Sequence, residues 1–594
     1  MCGICGFHAG NDFNRSAVIK AMCSSLSHRG PDDEQVYSDG DFFFGHRRLS
    51  IIDLKTGRQP IWNEDNTVCV ILNGEIFNFP ELRADLEKGK HIFKTRSDTE
   101  VLVHLYEDFG TGMLRYLNGQ FAFALFDKKE RKIFAARDRL GQNPFYYYQR
   151  DDVFAFGSEL KALLKFPLKR SIDLYALQLY FQHQFIPGDD SIYEGIKKLP
   201  PGSMLVYKAG TLEVKRYWEP RFEQGSVIPS AELTARAEDI LTDAVKIRLN
   251  ADVPLGTFLS GGLDSALITA LSSEQHLRTV RTFTVDFGGK RSEAALARLV
   301  SEKYGTTHTE IYSDLSHLFS LEEVLKNYDE PFGDYSLIPT YYLCREVSKN
   351  VKVAVSGDGG DELFGGYKRY GAFLKLNAVL RFKGLVGSLP VKLRERIAPY
   401  LPLDFLGRYI RFISIFKKEE LKAMLSFYIE RNYDHILTPV LLNRDSPRIV
   451  DSFLYLPEAG LVKVDRAAMG NSLEVRTPFL DHRLVELMLS VPDGMNFDMF
   501  RTKKILRRIA AKHLPPELMR HPKQGFSPPL HEWYKNEHYF NTVKERVLYN
   551  KFVISGGLKR QFVEDLFCGE ITYPKVHRIF LLHAFSVWME QYGD

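Results

Sequence analysis

The sequence has no apolar run approaching the roughly 18 residues that a membrane-spanning helix needs, and its N-terminus lacks the basic region and apolar core of a secretory signal. These absences predict a cytoplasmic chain with no membrane partner. Net charge is also small, with 79 Lys and Arg against 75 Asp and Glu, a formal +4. Binding to a nucleic-acid backbone needs a concentrated basic footprint, so nucleic acid is not expected as a partner. Cysteine is scarce: Cys2, Cys5, Cys23, Cys69, Cys344 and Cys568 are all there are in 594 residues. They are too scattered for a disulfide framework, and no second Cys/His pair completes a zinc site. They read as reduced thiols, most of them buried. No internal repeat or low-complexity segment is present either, so the architecture comes from ordinary domains, two to four by length. Small-molecule chemistry becomes the default expectation.

What is present divides into two halves. Up to about Pro220 the pattern consists of short β-like runs, such as Val68–Leu72, Phe121–Phe126, Lys132–Ala136 and Phe145–Tyr148, separated by Gly, Asn and Asp. This predicts layered antiparallel sheet with a few helices. The stretch Arg216–Pro229, with prolines at 220 and 229 and mixed charge, reads as a linker, and helical periodicity begins at Ala231–Leu249. Apolar runs then alternate with amphipathic segments: Leu255–Leu259, a helix from about Asp264, Val280–Val285, a helix from about Arg291, His308–Ile311 and Val351–Val355. Such alternation is the signal of a parallel α/β sheet. Beyond about residue 370 the pattern is mostly helical, including a basic stretch over 379–418 that reads as amphipathic helix packed on the core.

Cys2 directly follows the initiator Met, and a small second residue normally permits removal of that Met. The product would carry a thiol nucleophile and, in its own α-amine with an ordinary pKa of about 7.7–8.0, a base to take the thiol proton. Its surroundings reinforce this reading. Met1–Phe7 (MCGICGF), Ser27–Asp32 (SHRGPD), Gly45–Asp53 (GHRRLSIID), Asn73–Ile76 (NGEI) and Arg96–Glu100 (RSDTE), in that order, resemble the class II glutamine amidotransferases, which are N-terminal-nucleophile (Ntn) hydrolases. The resemblance implies that Cys2 attacks the glutamine side-chain amide while the Asn73 side chain and the Gly74 N–H stabilise the oxyanion. It further implies that Arg48 grips the α-carboxylate, that Asp98 with Glu75 holds the α-ammonium, and that Leu49, Ser50, Ile51 and Ile52 line the pocket.

In the second half, Leu255–Ser265 (LGTFLSGGLDS) sets a Ser/Gly-rich turn between an apolar strand and a helix. Exposed N–H groups, the helix N-terminus and the hydroxyls of Ser260 and Ser265 suit such a turn to pyrophosphate. The string resembles the SGGxDS loop of N-type ATP pyrophosphatases, and the Walker lysine loop is missing, so adenylation is expected rather than γ-phosphoryl transfer. Val355–Tyr367 (VSGDGGDELFGGY) resembles the synthetase loop of asparagine synthetases, and it lacks the twelve-residue spacing of a calcium loop. On that resemblance Ser260, Gly261, Gly262, Leu263, Asp264 and Ser265 bind ATP phosphates. Phe258 or Leu259, with Val285, Ser356 and Gly357, would receive the adenine. Asp264 and Asp361 would hold Mg²⁺, and Asp358 would assist acyl-adenylate formation. The later segments Leu461–Asp481 and Lys523–Ser527 also fit this family; within the former, Lys463 and Arg466 are equal candidates for the phosphate-side cation.

The resemblance to glutamine-hydrolysing asparagine synthetases is densest over 1–160, 250–370 and 450–530. It implies an Ntn-type αββα sandwich over 1–220 and a Rossmann-like parallel α/β synthetase domain with added helices over 221–594. The implied substrates are glutamine, ATP with Mg²⁺, and aspartate, with an internal passage that carries ammonia between the sites. The ATP and glutamine motifs leave open another acceptor carboxylate, as in cell-surface polysaccharide or secondary-metabolite biosynthesis. They leave a homodimer open as well.

Overall fold

The computed structural model describes residues 1–10, 13–220, 229–275, 279–286, 293–312, 321–381, 390–431, 445–521 and 528–593. Most of the expected linker, the helix start at Arg291, Lys383 in the basic stretch and the Lys523–Ser527 segment lie outside the described residues.

Among its described residues the first half contains twelve strands: β1 (Gly3–His8), β2 (Asp33–Asp39), β3 (Phe42–Arg48), β4 (Ile61–Trp62), β5 (Val68–Ile76), β6 (Gly119–Asp127), β7 (Lys132–Arg137), β8 (Tyr146–Arg150), β9 (Val153–Gly157), β10 (Ile196–Lys198), β11 (Ser203–Lys208) and β12 (Thr211–Arg216). They form two antiparallel six-stranded sheets, ordered β10-β8-β9-β1-β3-β2 and β12-β11-β7-β6-β5-β4. Period-two alternation explains the layering. In β5, Cys69 and Ile71 turn inward to meet Ile4, Phe44 and Phe156 of the other sheet. Val68, Val70 and Leu72 turn outward, onto Val101, Leu102 and Leu105 of the helix Glu100–Phe109. On the far side, Cys5 and Phe7 of β1 pack on Ile19, Met22 and Cys23 of the helix Arg15–Ser25. The result is the expected αββα sandwich. Strands buried on both faces read as unbroken apolar runs, which is why these were visible in the sequence.

The second half is built on β13 (Leu255–Phe258), β14 (Arg281–Asp286), β15 (Thr307–Tyr312), β16 (Val353–Val355) and β17 (Glu474–Arg476), all parallel, in the order β15-β14-β13-β16-β17. Numbered within the sheet this is 3-2-1-4-5, the Rossmann-type order, with its switch point between β13 and β16. The helix Leu263–Gln275 buries Ala266, Leu267, Ala270 and Leu271 against Leu241, Val300 and Ile505. Helices dominate after residue 360, and within the basic stretch the helix Phe405–Ile413 buries Tyr409 and Ile410 against Tyr370 and Phe373. Strand β17 departs from the expectation of little β structure there.

The halves join through an apolar seam, in which Phe181 meets Phe416 and Phe585 and Tyr193 meets Trp588, and through buried ion pairs. Arg29, fully buried, forks onto Asp465 (2.7 and 2.8 Å) and reaches Glu159 at 2.7 Å. Arg466 meets Asp329 at 3.0 Å and Glu159 at 3.1 Å, and Lys198 meets Glu458 at 2.7 Å. Removing one partner of such a pair costs about 3–5 kcal/mol, because a charge is left buried alone.

Candidate active sites

Cys2 precedes β1 and is buried beside the middle of β5. Its N–H donates to Asn73 Oδ1 at 3.1 Å, and its carbonyl accepts from Arg29 Nε at 3.0 Å. Burial pushes the Cys2 thiol up. The resting group is therefore the thiol, and attack requires a base. The Met1 ammonium is pinned to Glu474 at 2.5 Å. Asn73 is fully buried, and its Nδ2 has no hydrogen-bond partner, a donor left spare for an anion.

Gly74 does not sit in a hairpin turn, the ordinary use of Asn-Gly. It lies inside β5 with φ of 142°, where a Cβ would fall 2.1 Å from the Gln120 carbonyl oxygen. Only glycine fits this backbone against β6.

Around Cys2 a cavity is lined by Arg48, Leu49, Ile51, Ile52, Gly74, Glu75 and Asp98, together with Met1, Ser97, Thr99 and Glu474. Of the expected pocket residues, Ser50 and Asn73 are not among its lining; the Ser50 N–H donates to Asp32 at 2.8 Å, and Asn73 lies behind Cys2, from whose N–H it accepts. Arg48 is held at the rim by the carbonyls of Asp53 (2.7 Å) and Ile52 (3.1 Å). Asp98 accepts from the Ile76 N–H at 2.9 Å, and its burial raises its carboxyl to about 6. Glu75 is also pushed up by burial, although Arg476 touches it.

Strand β17 connects this pocket to the second half. Glu474 holds the Met1 ammonium with one oxygen and Arg476 Nε, at 2.8 Å, with the other. Against the cost of burial, these two cations hold Glu474 down to about 2. The Arg476 guanidinium also contacts Glu75, and its carbonyl accepts from the Ser356 N–H at 2.9 Å. One three-residue strand thus touches both the Cys2 pocket and the loop after β16.

At the carboxyl ends of β13 and β16 the two Ser/Gly-rich turns pack together. Ser260 Oγ and Ser265 Oγ lie 2.8 Å apart, and the Gly262 N–H donates to Ser260 Oγ at 3.1 Å. A Cβ on Gly357 would stand 2.8 Å from the Ser265 nitrogen, so the turns approach at glycine distance. Phe258, Leu259, Gly261 and Leu263 belong to the first turn and its flanks, and Val285 is the penultimate residue of the neighbouring β14. Asp358 accepts from Ser356 Oγ at 2.6 Å.

Asp264 opens the helix after β13 and Asp361 the helix after β16. The side chain between them is Lys503, which contacts Asp264 and lies 2.6 Å from Asp361. Against burial, the two carboxylates drive the Lys503 ammonium pKa up. A Cβ on Gly366 would fall 1.9 Å from Asp361 and 2.1 Å from the Lys503 chain, which makes this a tight cradle built around a positive charge. Such a donor set fits Mg²⁺.

Arg466 does not serve this cradle. Its guanidinium is engaged by Asp329 and Glu159 at the junction of the halves, which overturns its candidacy for the phosphate side. Lys463 is half-buried on the same helix, Leu461–Met469. Lys503 was missed because Arg-Thr-Lys-Lys at the start of a helix resembles solvated surface charge; its φ of 54° leaves no trace in the sequence.

The family model for the glutamine amidotransferase domain matches residues 1–218, and that for asparagine synthase matches residues 236–590. Asparagine synthetase [glutamine-hydrolyzing] 1 of Bacillus subtilis is 33% identical over 564 residues, covering 90% of this chain and 88% of its own. Asparagine synthetase 3 of the same organism is 33% identical over 574 residues, with the same coverage. The putative asparagine synthetase 2 of Methanocaldococcus jannaschii is 36% identical over 521 residues, 79% of this chain and 98% of its own. With the thiol pocket and the paired Ser/Gly-rich turns both in place, the chain belongs to the glutamine-hydrolysing asparagine synthetase family.

Proposed function

We propose that the chain is an ATP-dependent carbon–nitrogen ligase that makes asparagine from aspartate, with glutamine as nitrogen donor. Residues 1–220 form the glutaminase and 221–594 the synthetase. The observation that carries this reading is the spare Asn73 Nδ2 beside Cys2, in a chain whose other half gathers Asp264, Asp361 and two phosphate-type turns at one switch point.

With Met1 removed, the Cys2 amine takes the thiol proton and the sulfur attacks the glutamine amide carbon. Asn73 Nδ2 and the Gly74 N–H receive the oxyanion, ammonia leaves, and water clears the thioester. Arg48 and Asp98 hold the two ends of the glutamine α-carbon. In the synthetase, the turns Ser260–Ser265 and Ser356–Asp358 bind the phosphates and the adenosine side. Asp264 and Asp361 would hold Mg²⁺, which supplies neutralisation of phosphate charge. Lys503 is assigned to the phosphate side in place of Arg466.

The aspartate β-carboxylate attacks the α-phosphorus, pyrophosphate leaves, and ammonia then displaces AMP from the acyl carbon. Ammonia is mostly protonated in neutral water, so an internal route is required. Two adjoining cavities between the halves, sharing Tyr146, Lys198, Glu458, Val462 and Arg466, support one. No described helix is long and apolar enough to cross a membrane; a cytoplasmic site of action belongs to this reading, and light scattering of the pure chain tests a homodimer.

The test is purified chain with glutamine, ATP and Mg²⁺, offered aspartate and a panel of other carboxylic acids. Equal yields of asparagine, AMP and pyrophosphate are expected. Amidation of another acid in preference to aspartate would overturn the acceptor.

A further inference from the structure

A second constellation of ligand-type side chains lies in the first half, apart from the residues that line the Cys2 cavity. Glu64 sits in the turn between β4 and β5, His91 in the segment after the helix Phe79–Lys88, and His104 and Glu107 one turn apart on the helix Glu100–Phe109. Three separate stretches of chain thus converge on one point. His91 Nδ1 stands 3.0 Å from Glu64 Oε1 and 3.8 Å from Glu107 Oε2, and His104 Nδ1 stands 3.3 Å from Glu64 Oε2 and 3.2 Å from Glu107 Oε2. One ligand atom from each of the four residues lies within 4.8 Å of all the others. A tetrahedral zinc ion with ligands at about 2.0–2.1 Å separates neighbouring ligand atoms by about 3.4 Å. The observed spacings bracket that edge length.

The surroundings point to a cation as well. Both imidazoles turn Nδ1 inward and Nε2 toward an outer carboxylate: His91 Nε2 lies 3.2 Å from Asp108, and His104 Nε2 lies 3.8 Å from Glu100. For His91, whose Nε2 is within hydrogen-bond distance of Asp108, this is the arrangement that fixes ring and tautomer in metal-bound histidine. The His104 side chain is fully buried, and its Nε2 has no hydrogen-bond partner. The two rings are 4.7 Å apart, so two imidazolium charges would repel across the gap, whereas one shared ion accounts for both rings facing the same carboxylates. Asn63 Nδ2 anchors Glu107 at 2.8 Å and the Ile92 N–H anchors Glu64 at 3.0 Å. Two imidazole nitrogens with two carboxylate oxygens suit zinc over magnesium or calcium, which take oxygen ligands.

We propose that Glu64, His91, His104 and Glu107 bind a divalent transition-metal ion, zinc foremost, as a positioning site for the loop that delivers Asp98. The ion ties His91, at the start of that loop, to the helix at its end. The loop is already folded over Glu100, which accepts from the Lys94 and Thr95 N–H groups at 2.6 and 2.7 Å. The consequence for glutamine rests on the glutaminase reading; metal binding does not.

The test uses untagged full-length protein and its Cys2→Ala variant, which removes the reactive thiol as a rival ligand. Each is stripped, dialysed against zinc sulfate, and assayed by elemental mass spectrometry. One equivalent of zinc is expected in both, and Co²⁺ substitution should give the visible absorption of a tetrahedral ion. The accessible variants His91→Ala and Glu107→Gln should lose the metal without unfolding, and Asp108→Asn should weaken it about 10–100-fold. Stripped enzyme should show a raised KM for glutamine with ammonium-dependent synthesis unchanged. Zinc no higher in the wild type than in His91→Ala would overturn the site, and zinc retained with an indifferent glutamine KM would overturn the positioning role.

Discussion

Replacing Asn73 with Ala isolates the oxyanion hole. Its Nδ2 is the buried donor without a partner, while its Oδ1 accepts from the Cys2 N–H at 3.1 Å. The two atoms therefore make separable contributions. Losing the donor removes an interaction that forms only as charge develops on the amide oxygen, which costs about 10²–10³ in kcat, or about 2.7–4 kcal/mol. Losing the acceptor leaves a buried N–H unsatisfied and costs about 1–3 kcal/mol of stability. The Gly74 N–H remains, so glutaminase activity should be reduced rather than abolished, with KM for glutamine nearly unchanged because the ground state does not use the donor. Glutaminase and ammonium-dependent synthesis are measured on the same preparation, with a melting curve. The account expects a glutaminase kcat down about 10²–10³ and full ammonium-dependent activity. A kcat within about fivefold of wild type, or a loss confined to KM, would refute the assignment of Asn73 Nδ2.

Asp98, raised by burial to about 6, must be ionised to hold the glutamine ammonium, so kcat/KM for glutamine should rise through about pH 6. Asp98→Asn should abolish that limb; an unchanged profile would contradict the clamp. The sign for stability is opposite: the Asp98 contribution is fully present below 3.8 and lost as pH rises through about 6, which pH-dependent melting of wild type against Asp98→Asn resolves. Lys503→Met leaves Asp264 and Asp361 facing each other without their bridging cation, so the variant should melt lower, regain stability with Mg²⁺, and lose pyrophosphate release while glutaminase persists. AMP formation at the wild-type rate would remove Lys503 from the site. Gly74→Ala forces a Cβ to 2.1 Å from the Gln120 carbonyl and should eliminate glutaminase through displacement of β5. Retained activity would show that the strand can yield there.

The sandwich was legible because β5 and β6 are buried on both faces and so appear as apolar runs, and the parallel sheet because helix-length segments separate β13, β14 and β15. Boundaries moved by one to a few residues; the run starting at Phe145, for example, pairs from Tyr146. Strand β17 was hidden because three residues, Glu-Val-Arg, are too few to establish a period, and its charges are buried against Met1 and Glu75 of the other half. The Cys2 pocket was legible as ordered motifs, yet the placement of Asn73 against Cys2 and of the Ser50 backbone against Asp32 depends on partners 71 and 18 residues away. Arg466 and Lys503 show the limit most clearly. Arg466 lies within a helix and Lys503 just before one, and the roles of both are set by carboxylates more than a hundred residues distant, so local pattern assigns them equally well to solvent.

The central claim is that two sites with separate chemistry are joined in one chain. It is tested most directly by the Cys2→Ala variant, assayed for asparagine formation from aspartate and ATP with glutamine or with ammonium as the nitrogen source. The account predicts that glutamine-dependent synthesis vanishes while ammonium-dependent synthesis continues at the wild-type rate. Loss of both activities in a variant that melts like the wild type, or survival of the glutamine-dependent activity, would contradict it.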